Sequence, residues 1–285
     1  MANPVAIDKR AARTQFSRAA AVYDDVAVLQ HEIAERLIQR LDYIVCKPKV
    51  ILDIGCGTGR AIDALMKRYP KAKVIALDFS LPMLKKSAKR GRWLKRPACL
   101  CADMDQLPLA ANSVDLVFSS SAFQWTSDVS AAFKEIQRVI KPQGLLMFSS
   151  FGPDTLKELR EAWLQVDGLP HVHHFLDMHD YGDALVGAQF MDPVMDREDM
   201  TLTYESVERL LKDLKQAGVT NADKQRRKGL LGKERLQQLK AAYEVHRRDE
   251  RLPLSYEVIY GHAWGAVQQK QEGAVLVSPE SLRKS

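Results

Sequence analysis

The segment Val50-Ile-Leu-Asp-Ile-Gly-Cys-Gly-Thr-Gly59 constrains this chain more than any other. Its aliphatic run reads as a buried strand, and glycines at 55, 57 and 59 then turn the chain into a helix. Glycine at such a turn adopts dihedrals that a Cβ forbids and lets the backbone pass close to a ligand. A dinucleotide fingerprint would read G-x-G-x-x-G and place a pyrophosphate on the helix N-terminus. This turn reads G-x-G-x-G, with Asp53 two residues ahead of it. A carboxylate there is unfavourable for a phosphate and suits a cationic ligand.

The surrounding pattern is that of βα units. Strands are expected at 49–54, 73–78, 98–102, 114–119 and 144–150, with connecting helices near 59–69, 81–90 and 128–140. Residues 8–42 look helical throughout. After Phe151, helical segments at 154–166, 204–217 and 232–247 flank a loop at 167–187, and strands near 192–203 and 254–260 are taken to complete the same sheet. The expected fold class is therefore α/β, a mostly parallel sheet with helices on both faces. The expected organisation is an N-terminal helical segment (1–45), a core (46–152), cap helices plus the last two strands (153–265) and a disordered tail (266–285).

Nineteen residues past Gly59, Asp78 ends the second strand, where a carboxylate can accept both hydroxyls of a ribose. Asp103-Met104 ends the third strand and can meet an adenine edge. Singly, such aspartates serve as turn residues or helix caps. Together with the glycine turn they put three ligand-reading positions on one edge of a doubly wound sheet. A ligand with an ammonium and a sulfonium fits such a glycine turn better than NAD does.

Composition narrows the setting. Of 285 residues 46% are hydrophobic and 27% charged, which excludes wholesale disorder and a coiled-coil rod. No stretch reaches the roughly 18 apolar residues that a membrane span needs, and the N-terminus lacks a signal-peptide core, so a cytoplasmic protein is expected. The four cysteines, Cys46, Cys56, Cys99 and Cys101, form no C-x-x-C pair and read as reduced thiols. A net charge of +6 favours an anionic partner without choosing among nucleic acid, membrane surface and acidic protein.

LDIGCGTG, Asp78, Ala102-Asp103-Met104 and Asp115-Leu-Val-Phe resemble the motif series of class I S-adenosylmethionine-dependent methyltransferases over about residues 50–150. A narrower resemblance lies in FSRAAAVYDDVAVLQ (16–30), SSAFQW (120–125), LKELREAWLQVDGLPHVHHFL (156–176) and RLPLSYEVIYGHAWG (251–265). These are similar to the malonyl-acyl carrier protein O-methyltransferases of biotin synthesis. The resemblance implies a seven-stranded Rossmann-like sheet with one antiparallel strand and a helical cap. It also implies S-adenosyl-L-methionine as methyl donor and the free carboxylate of malonyl-acyl carrier protein as acceptor. The donor would be bound by Phe16, Tyr23, Asp53, Gly55, Gly57, Gly59, Asp78, Phe79, Asp103, Met104 and Ser119. A methyltransferase for another small molecule, or a non-catalytic assembly protein of the same fold, remains an alternative.

Methyl transfer from a sulfonium is an in-line displacement, and a carboxylate nucleophile is already ionised at pH 7, so no dedicated base is needed. The site needs a grip on that carboxylate. Tyr23, Gln124 and Arg160 are the candidates, with Trp125 beside them. Tyr23 could instead staple its helix to the sheet, Trp125 could merely pack, and Arg160 could be a solvated helix-face residue. Arg138 reads as a structural tie from helix to loop. His171, His173 and His174 share one loop without a carboxylate or thiol at ligand spacing, so no metal is expected. Lys212, Lys215, Lys224, Arg226, Arg227, Lys228, Lys233 and Arg235 form a basic cluster at 212–235. It reads either as a solvated surface or as a docking face for an acidic carrier protein. Without interleaved aromatics, no nucleic acid is expected there.

Overall fold

Continuous aliphatic strands need cover on both faces, and the sheet that forms from them supplies it. A computed structural model describes residues 7–92, 95–218, 221–223 and 232–267. In it β1 (Val50–Ile54), β2 (Lys73–Asp78), β3 (Ala98–Cys101), β4 (Val114–Ser119) and β5 (Ile140–Phe151) pair in parallel. Two longer strands, β6 (Met191–Tyr204) and β7 (Leu252–Trp264), complete a seven-stranded sheet of order β3-β2-β1-β4-β5-β7-β6. β7 runs antiparallel to both of its neighbours. The order reverses between β1 and β4, and at such a switch point a crevice opens beyond the carboxyl ends of the strands.

The expected N-terminal helical stretch is three helices, α1 (Lys9–Ala19), α2 (Tyr23–Val26) and α3 (Val28–Arg40). α3 buries Leu29, Ile33 and Leu37 against the sheet with α4 (Arg60–Arg68), which buries Ile62 and Leu65. The same face carries α7 (Lys157–Leu164), α9 (Val207–Gln216) and α10 (Lys233–Glu244). α5 (Leu81–Ser87) follows β2, and α6 (Val129–Val139) covers the opposite face with Phe133 and Ile136. Arg138 donates to Leu109 O and Leu107 O at 2.8 and 2.9 Å, tying the end of α6 to a loop.

One expectation needs correction. Residues 167–187 are not all loop, because α8 (Met178–Gly187) occupies the second half and packs on α6 and β6. Asp177 and Asp180 form a capping box at its start, and Tyr181, Ala184 and Leu185 enter the core with Phe133 and Phe148. Burying a side chain like Tyr181 contributes about 2 kcal/mol, which outweighs the cost of about 1 kcal/mol for the helical Gly182 that obscures the pattern. Lys224, Arg226, Arg227 and Lys228 of the basic cluster, and residues 268–285 of the expected tail, lie outside the described residues. All four cysteines are free.

Candidate functional site

The glycine turn follows β1 with Gly55, Gly57 and Gly59 at φ of +67°, +54° and +81°, all in the left-handed region. Gly59 does its work by packing: a Cβ there would lie 2.8 Å from Ser87 Oγ and 2.9 Å from Arg90 Cγ. Gly59→Ala should therefore cost about 2 kcal/mol, from backbone strain and displacement of α5. A urea-unfolding midpoint equal to that of the parent would contradict this.

Beside the turn a cleft of about 630 Å³ opens at the ends of β1, β2, β3 and β4. Asp78 is its best-anchored polar group, buried at 5% exposure. Its Oδ2 accepts from Gly57 N at 2.9 Å and its Oδ1 from Ser80 N at 2.7 Å. Burial pushes its carboxyl up to about 6, against the two amide bonds that favour the ionised form. Asp53 lies behind the turn, 2% exposed, and its Oδ2 has no hydrogen-bond partner among the described residues. Burial first and the Asp78 charge second raise its pKa well above the usual carboxylate range. The turn therefore backs onto two carboxyls that a nearby cation would favour in ionised form.

The roof of the cleft comes from α1 and α2. Phe16 meets Phe79 and Trp125 edge-on at 6.0 and 5.1 Å, and Tyr23 at 6.4 Å. Lys9, two turns before Phe16 on α1, reaches Asp103 with Nζ 2.7 and 2.8 Å from its two carboxylate oxygens, and also pairs with Asp105. Thr126 Oγ1 donates to Asp105 at 2.6 Å, joining the same network to the turn at 123–126 that follows β4. The Tyr23 ring stands over the turn, where a Cβ on Gly57 would be 3.9 Å from it. Its hydroxyl makes no hydrogen bond among the described residues. Burial, then Asp78 and Asp24, raise its pKa, so it is a neutral donor at pH 7.

The cleft thus gathers Phe16, Tyr23, Gly55, Gly57, Asp78, Phe79, Asp103 and Met104, as the sequence suggests. It leaves out five other candidates. Ser119 is fully buried and its Oγ donates to Ile54 O at 3.0 Å, inside the sheet. Asp53 and Gly59 sit behind the lining. Gln124 faces a second cavity of about 1480 Å³ between α6 and α8, and its Nε2 donates to Ser121 O at 2.6 Å. Arg160 is turned to its own helix start, donating to Pro153 O and Thr155 O at 2.9 Å each. It is neither a solvated helix-face residue nor a cleft residue. Lys9, Met83, Ser120 and Ser121 line the cleft without having been singled out. None of the four carried a local signal: Lys9 meets Asp103 across 94 positions of sequence. Of the histidines, His171 stacks on Trp163 at 3.7 Å and bonds Asp167, while His173 Nε2 accepts from Ala222 N at 3.1 Å. Among the described residues no three His, Cys, Asp or Glu side chains are grouped to hold a metal ion.

This sheet order, with the glycine turn at its switch point, defines a Rossmann-like class I methyltransferase. Residues 52–148 match the methyltransferase domain family. Solved structures share the fold, among them a methyltransferase of Thermotoga maritima (TM-score 0.52, 17% identity, covering 89% of this chain and 99% of that one). A Haemonchus contortus N-methyltransferase is similar in the same way (TM-score 0.52, 19% identity, covering 82% of this chain and 52% of that one). Much nearer are the malonyl-[acyl-carrier protein] O-methyltransferase of Gallionella capsiferriformans, 49% identical over 282 residues (96% of this chain, 97% of the relative), and that of Methylovorus sp., 52% identical over 264 residues (90% and 89%). The chain belongs to the malonyl-acyl carrier protein O-methyltransferase family.

Proposed function

We propose that this enzyme transfers a methyl group from S-adenosylmethionine to the free carboxylate of malonyl-acyl carrier protein, as its relatives' names describe. The observation that carries the donor's place is Asp78, whose two oxygens are held by Gly57 N and Ser80 N with lone pairs left to face the cleft. These residues fit the donor. Asp78 would accept the ribose hydroxyls, Phe79 and Met104 would flank the adenine, and the Gly55–Gly57 backbone would admit the methionine portion. Asp103, held by Lys9, would meet the adenine edge. Asp53 and Asp78 together would supply the negative field that a sulfonium and an ammonium prefer.

The donor supplies an electrophilic methyl on a positively charged sulfur. As the new oxygen–carbon bond forms, the sulfur–carbon bond breaks, and its electron pair leaves on sulfur to give S-adenosylhomocysteine and a neutral methyl ester. The protein has to align the acceptor and exclude water. Tyr23 would do both: its ring closes the roof, and its hydroxyl would donate to one carboxylate oxygen while the other attacks. Gln124 would act at one remove, by fixing the Ser120–Ala122 wall through its bond to Ser121 O. Arg160 would hold the start of α7 under the cap. The ester product lacks the charge that would keep the acyl end out of apolar chain-extending sites. An acidic carrier would dock on the basic cap cluster at 212–235.

Incubating the protein with S-adenosylmethionine and malonyl-acyl carrier protein should add the mass of one methylene to the carrier, read by intact-protein mass spectrometry. No gain on malonyl-carrier, with methylation of another carboxylic acid instead, would overturn the reading. Donor binding should also depend on pH. Because the Asp78 carboxyl sits at about 6 in the free protein, lowering the pH below 6 protonates the group that the donor needs ionised. Affinity for S-adenosylhomocysteine should then fall by up to about tenfold per pH unit. A flat calorimetric profile between pH 5 and 8 would contradict this.

A further inference from the structure

α1, which helps to roof the cleft, packs beside α5, and the two helices carry exposed cations on their outer sides. On α1 the inner positions Ala12, Phe16 and Ala19 pack inward, while Arg10, Arg13 and Arg18 project from the opposite side at helical spacing and are exposed. Lys85 on α5 and Lys89 just beyond it are exposed as well, and Lys86 Nζ donates to Ala21 O at 2.8 Å. Among the described residues none of these six cations forms an ion pair. Of the nearby acids, Asp8 caps α1 and Asp24 pairs with Arg90 at 3.0 Å, which leaves the exposed Asp25. The two helices are locked together by the Lys86–Ala21 bond and by Ser17 Oγ 3.1 Å from Ser80 Oγ. At that joint two apolar side chains stand in solvent, Val22 at 40% and Leu81 at 49% exposure.

Exposed cations without ion pairs, on two packed helices that also expose apolar side chains, are what a docking face for an acidic protein requires. We propose that this face of α1 and α5 seats the acyl carrier, with Leu81 and Val22 as the apolar contact and Arg10, Arg13, Arg18, Lys85 and Lys89 as the rim. The inference rests on the malonyl-carrier reading above and gives it a second, better defined surface than the cap. Charge complementarity selects an acidic protein, and position selects one whose cargo is used here. Tyr23, in the cleft, directly follows Val22, so a carrier seated at this joint has its prosthetic arm beside the opening. Backbone Asp8 N also donates to Ala222 O at 2.7 Å, which makes α1 the link between this face and the basic cap.

The test is the double variant Arg18→Glu/Lys85→Glu and, separately, Leu81→Ser, at positions that do not themselves line the cleft. Each should raise KM for malonyl-carrier by about tenfold or more. Turnover of a small malonyl thioester and calorimetric affinity for S-adenosylhomocysteine should stay within about twofold of the parent, because neither depends on a docking face. An unchanged KM at low salt overturns the proposal, and so does equal loss on both substrates, which would mean damage to the roof. Direct titration of fluorescently labelled carrier separates this proposal from the reaction itself. If the parent binds carrier and the variants do not, the face stands even where no methyl is transferred. If parent and variants bind alike, or the parent does not bind, the face is wrong.

Discussion

Asp78→Ala should weaken S-adenosylhomocysteine binding by about a hundredfold while moving the thermal midpoint little at pH 7. The binding loss follows from removing a charged acceptor proposed for two hydroxyls, each such bond being worth about 1.5–3 kcal/mol. The small effect on folding follows from two terms of opposite sign. Alanine leaves Gly57 N and Ser80 N without their acceptor, at a cost of about 1–3 kcal/mol for each buried amide. It also removes a carboxyl whose pKa is raised to about 6. A raised pKa contributes stability below about pH 4, all of it lost as the pH climbs through 6, so at pH 7 the parent lacks about 3 kcal/mol that it has in acid. Deleting the group relieves that burden. The variant's stability should consequently vary less between pH 4 and 7 than the parent's. Equal calorimetric affinities for variant and parent would remove Asp78 from the donor site.

Much of this was legible in the sequence because its signals are local. The parallel strands could be read from apolar runs bounded by turn residues, β6 and β7 were expected near 192–203 and 254–260, and the glycine turn with Asp78 and Asp103-Met104 located the cleft, since strand ends at a switch point converge wherever the sheet is parallel. The longer extents of β5 and β7 were hidden by Pro142 and Gly261, residues that usually mark strand limits. Helix α8 was hidden by glycines and histidines, although the spacing of Tyr181, Ala184 and Leu185 carried its period. Ser119 shows the limit of reading a strand end: its hydroxyl can turn to the crevice or to the neighbouring strand, and here it donates to Ile54 O. Arg160 illustrates a different limit. Its guanidinium is half-buried and spent on two carbonyls of its own helix start, where burial lowers its pKa. A sequence shows that an arginine is present near a site but not which carbonyls it will cap. The Lys9–Asp103 pair joins residues 94 positions apart, and no local period can announce such a contact.

Tyr23→Phe should lower kcat by about 10- to 100-fold with a thermal midpoint within about a degree of the parent's, the range of one hydrogen bond to a charged group. The structure separates the two halves of this side chain. The ring packs against Phe16 at 6.4 Å and His31 at 6.4 Å, and phenylalanine keeps both contacts. The hydroxyl, which makes no hydrogen bond among the described residues, supports no part of the fold. Burial and the adjacent Asp78 and Asp24 keep the phenol protonated far above pH 7, so it can donate to a carboxylate but cannot serve as a base. Its loss should therefore fall on turnover without introducing a new pH dependence near neutrality. Affinity for S-adenosylhomocysteine, which has no methyl and no acceptor carboxylate beside it, should change by less than about threefold. Should the variant retain full turnover and lose several degrees of stability, Tyr23 is a packing residue. The acceptor carboxylate must then be held by another donor of the cleft wall, with the Ser120 and Ser121 hydroxyls the next to test.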